Sequence, residues 1–240
     1  MTMRIYQPAP LAVGAFIIEE KASHHLARVL RVKVGDEVIL FNGDGGEYHA
    51  VIRAISKNNV EVELLEFLAR EVESPLKITL AQGIARGEKM DFIIQKAVEL
   101  GVSDIYPVVT ERCNVRLDKE REQKRLLHWQ AVVISACEQS GRNTLPAVHA
   151  PIALMKWLPQ CEAGQKFILS PHADNKLADH SSSASIAMLV GPEGGLSDAE
   201  IQAAGQHQFA ALKLGPRVLR TETAALAALS VLQFQLGDFS

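Results

Sequence analysis

The sequence predicts an α/β protein in two parts, a small β-rich unit at the amino terminus and a larger domain built on a parallel sheet. Three observations carry that prediction. From Gly35 to about Leu68, apolar and polar residues alternate in three runs separated by turn-forming stretches. After Pro75 the pattern changes to strands alternating with amphipathic helices. Late in the chain, three short apolar segments read as strands buried on both faces, as parallel strands are. A chain of 240 residues, 48% of them hydrophobic, is long enough to fill one small and one medium core.

In chain order, the segment 8–18, PAPLAVGAFII, has the apolar character of a secretory core. Its two prolines and the following Glu19-Glu20-Lys21 argue against that reading, and no apolar run approaches membrane-spanning length, so a soluble protein is expected. The stretch ASHHLARVLRV (22–32) has helical spacing, with Leu26, Val29 and Leu30 on one face and Arg28 and Arg31 on another. DEVILF runs into the turn NGDGG, EYHAVIRAIS alternates, KNN turns, and VEVELLEFL alternates again: a β-meander of the kind found in small barrels. The charged stretch Ala69 to Ser74, closed by Pro75, marks a boundary. Beyond it, KITLAQGI reads as a strand, KMDFIIQKAVELG as a helix ending at Gly101, VSDIYPVVT as a second strand and Lys119 to Ser140 as a long helix. KFILS, AMLVG and AALKLG are the three late strands, and the serine run within Asp179 to Ser185 reads as a surface loop.

Cys113, Cys137 and Cys161 lie far apart with no CxxC pair, which points to reduced thiols in a cytosolic protein and away from structural zinc. The net charge of −3 gives no general reason to expect a nucleic-acid partner. Its distribution is uneven, because residues 1–33 hold five basic against two acidic side chains and carry +3, leaving −6 for the rest. That asymmetry leaves room for a local basic surface.

The stretch Gly191-Pro192-Glu193-Gly194-Gly195-Leu196-Ser197 has the glycine density of a phosphate-cradling loop. It lacks the lysine and hydroxyl of a GxxxxGK[ST] loop, and no GxGxxG opens a helix, so a nucleotide hydrolase is excluded. Ser197-Asp198-Ala199-Glu200 has the pattern of a capping box, so the loop joins strand AMLV to a helix. The next strand ends in a similar way: Leu214-Gly215-Pro216 turns out of the sheet, and Thr221 or Thr223 is placed to cap the last helix. Two such strand ends make one site, since ligands of open parallel sheets lie at the carboxyl ends of strands. A ligand held by backbone groups and carrying no phosphates, such as S-adenosylmethionine, suits it.

GPEGGLS followed by LGPRVLRTETA closely resembles the cofactor-binding signature of the SPOUT methyltransferases, in particular the RsmE family of 16S ribosomal RNA uridine N3-methyltransferases. KMDFIIQKAVELGV, PVVTERCNVR and ACEQSGRNTLP resemble that family's middle segments, and HHLARVLRVKVGD its amino-terminal one, so the likeness covers nearly the whole chain. The resemblance implies a PUA-like β-barrel over residues 1–72 that binds RNA. It implies a SPOUT methyltransferase domain over 73–240, with a parallel sheet and a carboxyl-terminal trefoil knot. It also implies a homodimer, for which the almost wholly apolar helix Ala224 to Leu236 is suited.

Mapped onto this sequence, the family's S-adenosylmethionine pocket falls on Leu169, Ser170 and Pro171, on Gly191, Pro192, Glu193, Gly194, Gly195 and Leu196, and on Leu214, Gly215, Pro216, Val218, Leu219, Arg220, Thr221 and Thr223. Methyl transfer to uracil N3 requires loss of the N3 proton and stabilisation of the resulting anion. Arg217 and Arg220 are the candidates for the second task, and Glu193, if burial raised its pKa, for the first. No metal is expected. N3 lies on the Watson–Crick edge, so the uridine must be unpaired or flipped. Arg4, Arg28, Arg31 and Lys33, with His24 and His25, are the candidate phosphate surface for 16S ribosomal RNA in the small subunit. A second basic group, Arg112, Arg116, Lys119, Arg121, Lys124 and Arg125, is interleaved with acids and reads as an exposed helix. The competing readings are a methyltransferase acting on transfer RNA or a ribose hydroxyl, and a non-catalytic RNA-binding assembly factor.

Overall fold

The computed structural model describes residues 2–113, 118–173 and 183–239. Arg116 and the residues 179–182 of the serine run lie outside them. The chain divides into two compact units, Met1–Glu73 with Cys137–Leu145, and Ser74–Ala136 with Pro146–Ser240. The first unit is thus discontinuous in sequence, taking in an excursion at 137–145 that a single boundary near residue 72 leaves out.

The first unit is a five-stranded sheet in the order β1-β3-β4-β5-β2. Its strands are β1 (Met3–Tyr6), β2 (Gly14–Ile17), β3 (Glu37–Phe41), β4 (Glu47–Ile55) and β5 (Val60–Leu68). Strands β3, β4 and β5 are the expected antiparallel meander, while β1 pairs with β3 in parallel. Leu40, Ile52, Val62 and Leu64 alternate inward along the meander and fill one core with Ile5, Ile18 and Leu26.

Between β2 and β3, helix α1 (Glu20–His24) runs on into a π-helical turn, His25–Leu30. The wider turn changes the phase of the helix. Leu26 is fully buried, but Val29 is 63% and Leu30 42% exposed, so the apolar face expected of all three is not formed. The turn closes at Arg31, whose φ of 54° is left-handed, with the Val32 amide donating to the Leu26 carbonyl.

The second unit is built on a parallel sheet in the order β12-β10-β11-β6-β7-β8, with β9 pairing beside β7. The strands are β6 (Lys77–Gly83), β7 (Asp104–Val109), β8 (Ala147–Val148), β9 (Ile152–Ala153), β10 (Gln165–Leu169), β11 (Ser185–Val190) and β12 (Ala210–Leu212). The expected late strands are β10, β11 and β12; Ile186 to Val190 of β11 are all buried. The helices are α2 (Glu88–Glu99), α3 (Lys119–Ser140), α4 (Leu154–Trp157), α5 (Asp198–Gln206) and α6 (Thr221–Leu236). Helix α2 turns Met90, Ile93, Ile94, Ala97 and Val98 inward at helical spacing. Helix α6 buries Ala225, Ala228, Leu229 and Leu232, and leaves Val231 and Phe234 exposed. No described helix is long and apolar enough to cross a membrane.

Candidate active site

A cavity of about 830 Å³ opens where β10, β11 and β12 end. All three strands run parallel, so their carboxyl ends converge on it. The two glycine-proline bends are not neighbours in the sheet: β10 lies between β11 and β12, and its own end, Leu169-Ser170-Pro171, forms the floor between them. Of the residues expected to hold a cofactor, Leu169, Ser170, Pro171, the whole of Gly191 to Leu196, Leu214, Gly215, Val218, Leu219, Arg220 and Thr221 line the cavity. Pro216 and Thr223 do not. Lys89, Arg112, His172, Asp198 and Lys213 line it as well, and the sequence alone did not single them out for it.

The bend after β11 is fixed from several sides. The Gly195 amide donates to the Pro192 carbonyl at 2.8 Å, and Gly195 has φ +70°, a conformation open to glycine. Pro192 is buried against Gly83 at the end of β6, where an added Cβ would stand 2.5 Å from the proline ring. Beyond the bend the capping box forms as expected. The Glu200 amide donates to Ser197 Oγ at 3.4 Å, and the Ser197 amide to Glu200 Oε2 at 2.9 Å. The other Glu200 oxygen accepts from the Glu111 amide at 2.8 Å, tying in the loop after β7.

Glu193 does not meet the condition for a general base. Burial pushes its carboxyl upward, but this is outweighed by hydrogen bonds from its own backbone and the Arg86 amide (3.1 Å) and by the Lys89 ammonium (3.3 Å). The net shift is below the ordinary 4.5. Lys89 and the start of α2 therefore hold the bend through Glu193 as an anion.

The bend after β12 is open. Arg217, Val218 and Arg220 are exposed, Val218 to 83%. Among the described residues neither Arg217 nor Arg220 has an ion-pair partner, and Glu193 pairs with Lys89 instead. Neither threonine caps α6, whose N-cap is Arg220 with no side-chain cap bond. Thr221 Oγ1 donates instead to the Gly191 carbonyl at 2.6 Å, and so joins the second bend to the first.

In the first unit, Arg28, Arg31, Lys33, His24 and His25 are all exposed on and just after the π turn. Arg4 is not with them. Its side chain is 9% exposed, ion-paired with Glu47 and bonded to Asn143, because a guanidinium on β1 faces the carboxylate that opens β4. The expected basic surface is corrected at that residue. In the second group, Lys124 pairs with Glu120 and Arg121 with Asp118, consistent with an exposed helix. Among the described residues Cys137 and Cys161 are in no disulfide, and no group of three His, Cys, Asp or Glu residues could hold a metal ion.

A cavity walled by backbone turns at the strand ends of a parallel α/β sheet, with two rim arginines that have no ion-pair partner among the described residues, belongs to an RNA methyltransferase. A family model described as an RNA methyltransferase domain matches residues 72–233, and one described as an RNA methyltransferase PUA domain matches residues 18–65. The ribosomal RNA small subunit methyltransferase E of Buchnera aphidicola (from Schizaphis graminum) is 38% identical, covering 99% of this chain and 98% of its own. That of Bacillus subtilis is 32% identical over 92% and 90%. The crystal structure of the Neisseria gonorrhoeae enzyme of that name, bound to S-adenosyl methionine, superposes with a TM-score of 0.94 at 43% identity, covering all of both chains. A Legionella pneumophila protein in complex with bound SAM superposes at 0.97 with 44% identity, again over all of both chains. The chain belongs to the ribosomal RNA small subunit methyltransferase E family.

Proposed function

We propose that the protein methylates N3 of a specific uridine in 16S ribosomal RNA, using S-adenosylmethionine, on the small ribosomal subunit in the cytoplasm. The observation that carries the reading is the cavity at the three strand ends. Its volume suits a nucleoside-sized cofactor with room for a base, and its walls offer backbone groups and apolar side chains without a phosphate loop. When bound, S-adenosylmethionine supplies an electrophilic methyl group. Leu169 to Pro171, Gly191 to Leu196, and Leu214, Gly215, Val218, Leu219, Arg220 and Thr221, all of which line the cavity, would hold it.

The remaining chemistry falls to this chain's side chains. Arg217 and Arg220, exposed at the rim, stabilise the negative charge that spreads onto the uracil carbonyl oxygens when N3 loses its proton. Glu193, kept anionic by the Arg86 amide and Lys89, holds the wall of the site, and the N3 proton passes to water. Arg28, Arg31 and Lys33, with His24 and His25, hold the phosphates of the flanking RNA. The working form is a homodimer; the exposed Val218, Val231 and Phe234 support it, since a monomer leaves these apolar side chains in water. A trefoil knot is supported by the return of the chain from β12, across β10, to the Gly191 carbonyl where α6 begins.

The test is nucleoside mass spectrometry of small-subunit ribosomal RNA from a strain lacking the gene. Loss of 3-methyluridine, restored by the wild-type gene, is the expected result. An unchanged base and a missing ribose or transfer-RNA mark would assign the enzyme to the rival substrate class.

A further inference from the structure

Gln82, the penultimate residue of β6, is fully buried and does not line the cavity, yet its amide touches both bends that do. Its Nε2 donates to Thr221 Oγ1 at 2.9 Å and to the Gly83 carbonyl at 2.9 Å, and lies 3.5 Å from the Gly191 carbonyl. Thr221 Oγ1 passes its own hydrogen to the Gly191 carbonyl at 2.6 Å. The polarity of this chain is fixed. Reversing the amide would set its oxygen against the Gly83 carbonyl and leave the threonine without a donor. Among the described residues Gln82 Oε1 has no hydrogen-bond partner, a cost tolerated in a strand whose Leu80 and Ala81 are buried. A leucine would serve packing better. Beside it, Gly83 lets Pro192 of the first bend lie directly on the β6 backbone.

We infer that Gln82 is a positioning residue for the cofactor site: its directed chain through Thr221 to Gly191 locks the two bends at one spacing, so that the cavity is preformed. Hydrogen bonds arranged head to tail polarise one another, and a pre-set wall lowers the ordering cost of binding. The inference rests on the reading of the cavity as the S-adenosylmethionine site, and neither bend's sequence pattern includes Gln82.

The experiment titrates S-adenosylhomocysteine into the full-length protein by calorimetry and measures initial methylation rates against cofactor concentration. Gln82→Met keeps the volume and removes the amide. It is expected to raise the dissociation constant and the cofactor KM about tenfold, the size of one lost buried hydrogen bond, with kcat at saturating cofactor within about twofold of wild type. Thr221→Val should match it, Thr221→Ser should restore near-wild-type affinity, and the Gln82→Met/Thr221→Val double variant should be no worse than Thr221→Val alone. A constant within about twofold of wild type in Gln82→Met, equal losses in Thr221→Ser and Thr221→Val, or additive losses in the double variant would overturn the inference. Should Gln82→Met fail to fold, the two Thr221 variants decide. Should the wild type itself give no heat, the cofactor reading fails. The lock is then judged by amide hydrogen exchange at Gly191–Leu196 in the free protein, which must speed up in Thr221→Val and not in Thr221→Ser.

Discussion

The two glycine-proline bends look alike in sequence and differ in how they are held. The bend after β11 is tied to β6 by Pro192 on Gly83, to α2 by Glu193 and to α6 by the Gly191 carbonyl. The bend after β12 is fastened at its end by Thr221, and between Gly215 and Arg220 it stands mostly in solvent with two guanidiniums that have no ion-pair partner among the described residues. A wall with many ties suits binding a ligand the same way each time. An open segment carrying exposed cations suits meeting a substrate that arrives from outside.

That division of labour is broken most directly at the arginines. Arg217→Ala is expected to lower kcat roughly a hundred- to a thousandfold, as loss of a charge-stabilising donor does, while cofactor affinity stays within about twofold; Arg220→Ala should lower kcat similarly and weaken cofactor binding as well. Initial rates and calorimetry on one preparation check this, and loss of cofactor affinity in Arg217→Ala instead would make the open bend a binding wall. On the tied side, Gly83→Ala drives a methyl group into Pro192. Overpacking of that kind should cost about 1–3 kcal/mol in denaturant unfolding and weaken cofactor binding in parallel.

Arg28→Glu with Arg31→Glu sharpens the contrast from the other unit. Both side chains are exposed, so stability should change by less than about 0.5 kcal/mol, while the slope of log RNA affinity against log salt should fall by about two. Unchanged RNA affinity at low salt would remove that surface from recognition. The smallest effect is expected at Lys89→Met. Lys89 and Glu193 are partly exposed, so the loss should stay below about 1 kcal/mol. The sign with pH is definite. Glu193's folded pKa lies below 4.5, so its contribution is present above that value and is lost as pH falls through the folded pKa. Without the ammonium the folded pKa rises toward 4.5, and the acid-side loss of stability becomes smaller; a carboxyl NMR titration of Glu193 reads it directly.

Much of this was legible because it is local. The meander strands, the helix Lys119–Ser140 and the Ser197–Glu200 capping box follow from alternation, helical spacing and a four-residue pattern, each decided by neighbours in sequence. What was not legible depends on partners far along the chain. Thr221 reads as a cap because it precedes a helix, but the Gly191 carbonyl, 30 residues earlier, competes for its hydroxyl. Arg4 reads as a surface cation until Glu47 meets it across the sheet. Val29 and Leu30 fit a 3.6-residue helix and are rotated outward by the π turn. Lys89 reaches the cavity from the first turn of α2, and Arg112 from the loop after β7. One signal for Gln82 was present, a lone amide followed by glycine after the apolar Leu80-Ala81 in KITLAQGI.

The claim on which the rest depends is that the cavity between these two bends takes up S-adenosylmethionine. Isothermal titration of the purified wild-type protein with S-adenosylmethionine and its demethylated product tests it. Saturable heat with one site per chain is predicted for both compounds, abolished or strongly weakened in Gly83→Ala. A folded protein that gives no heat with either would contradict it.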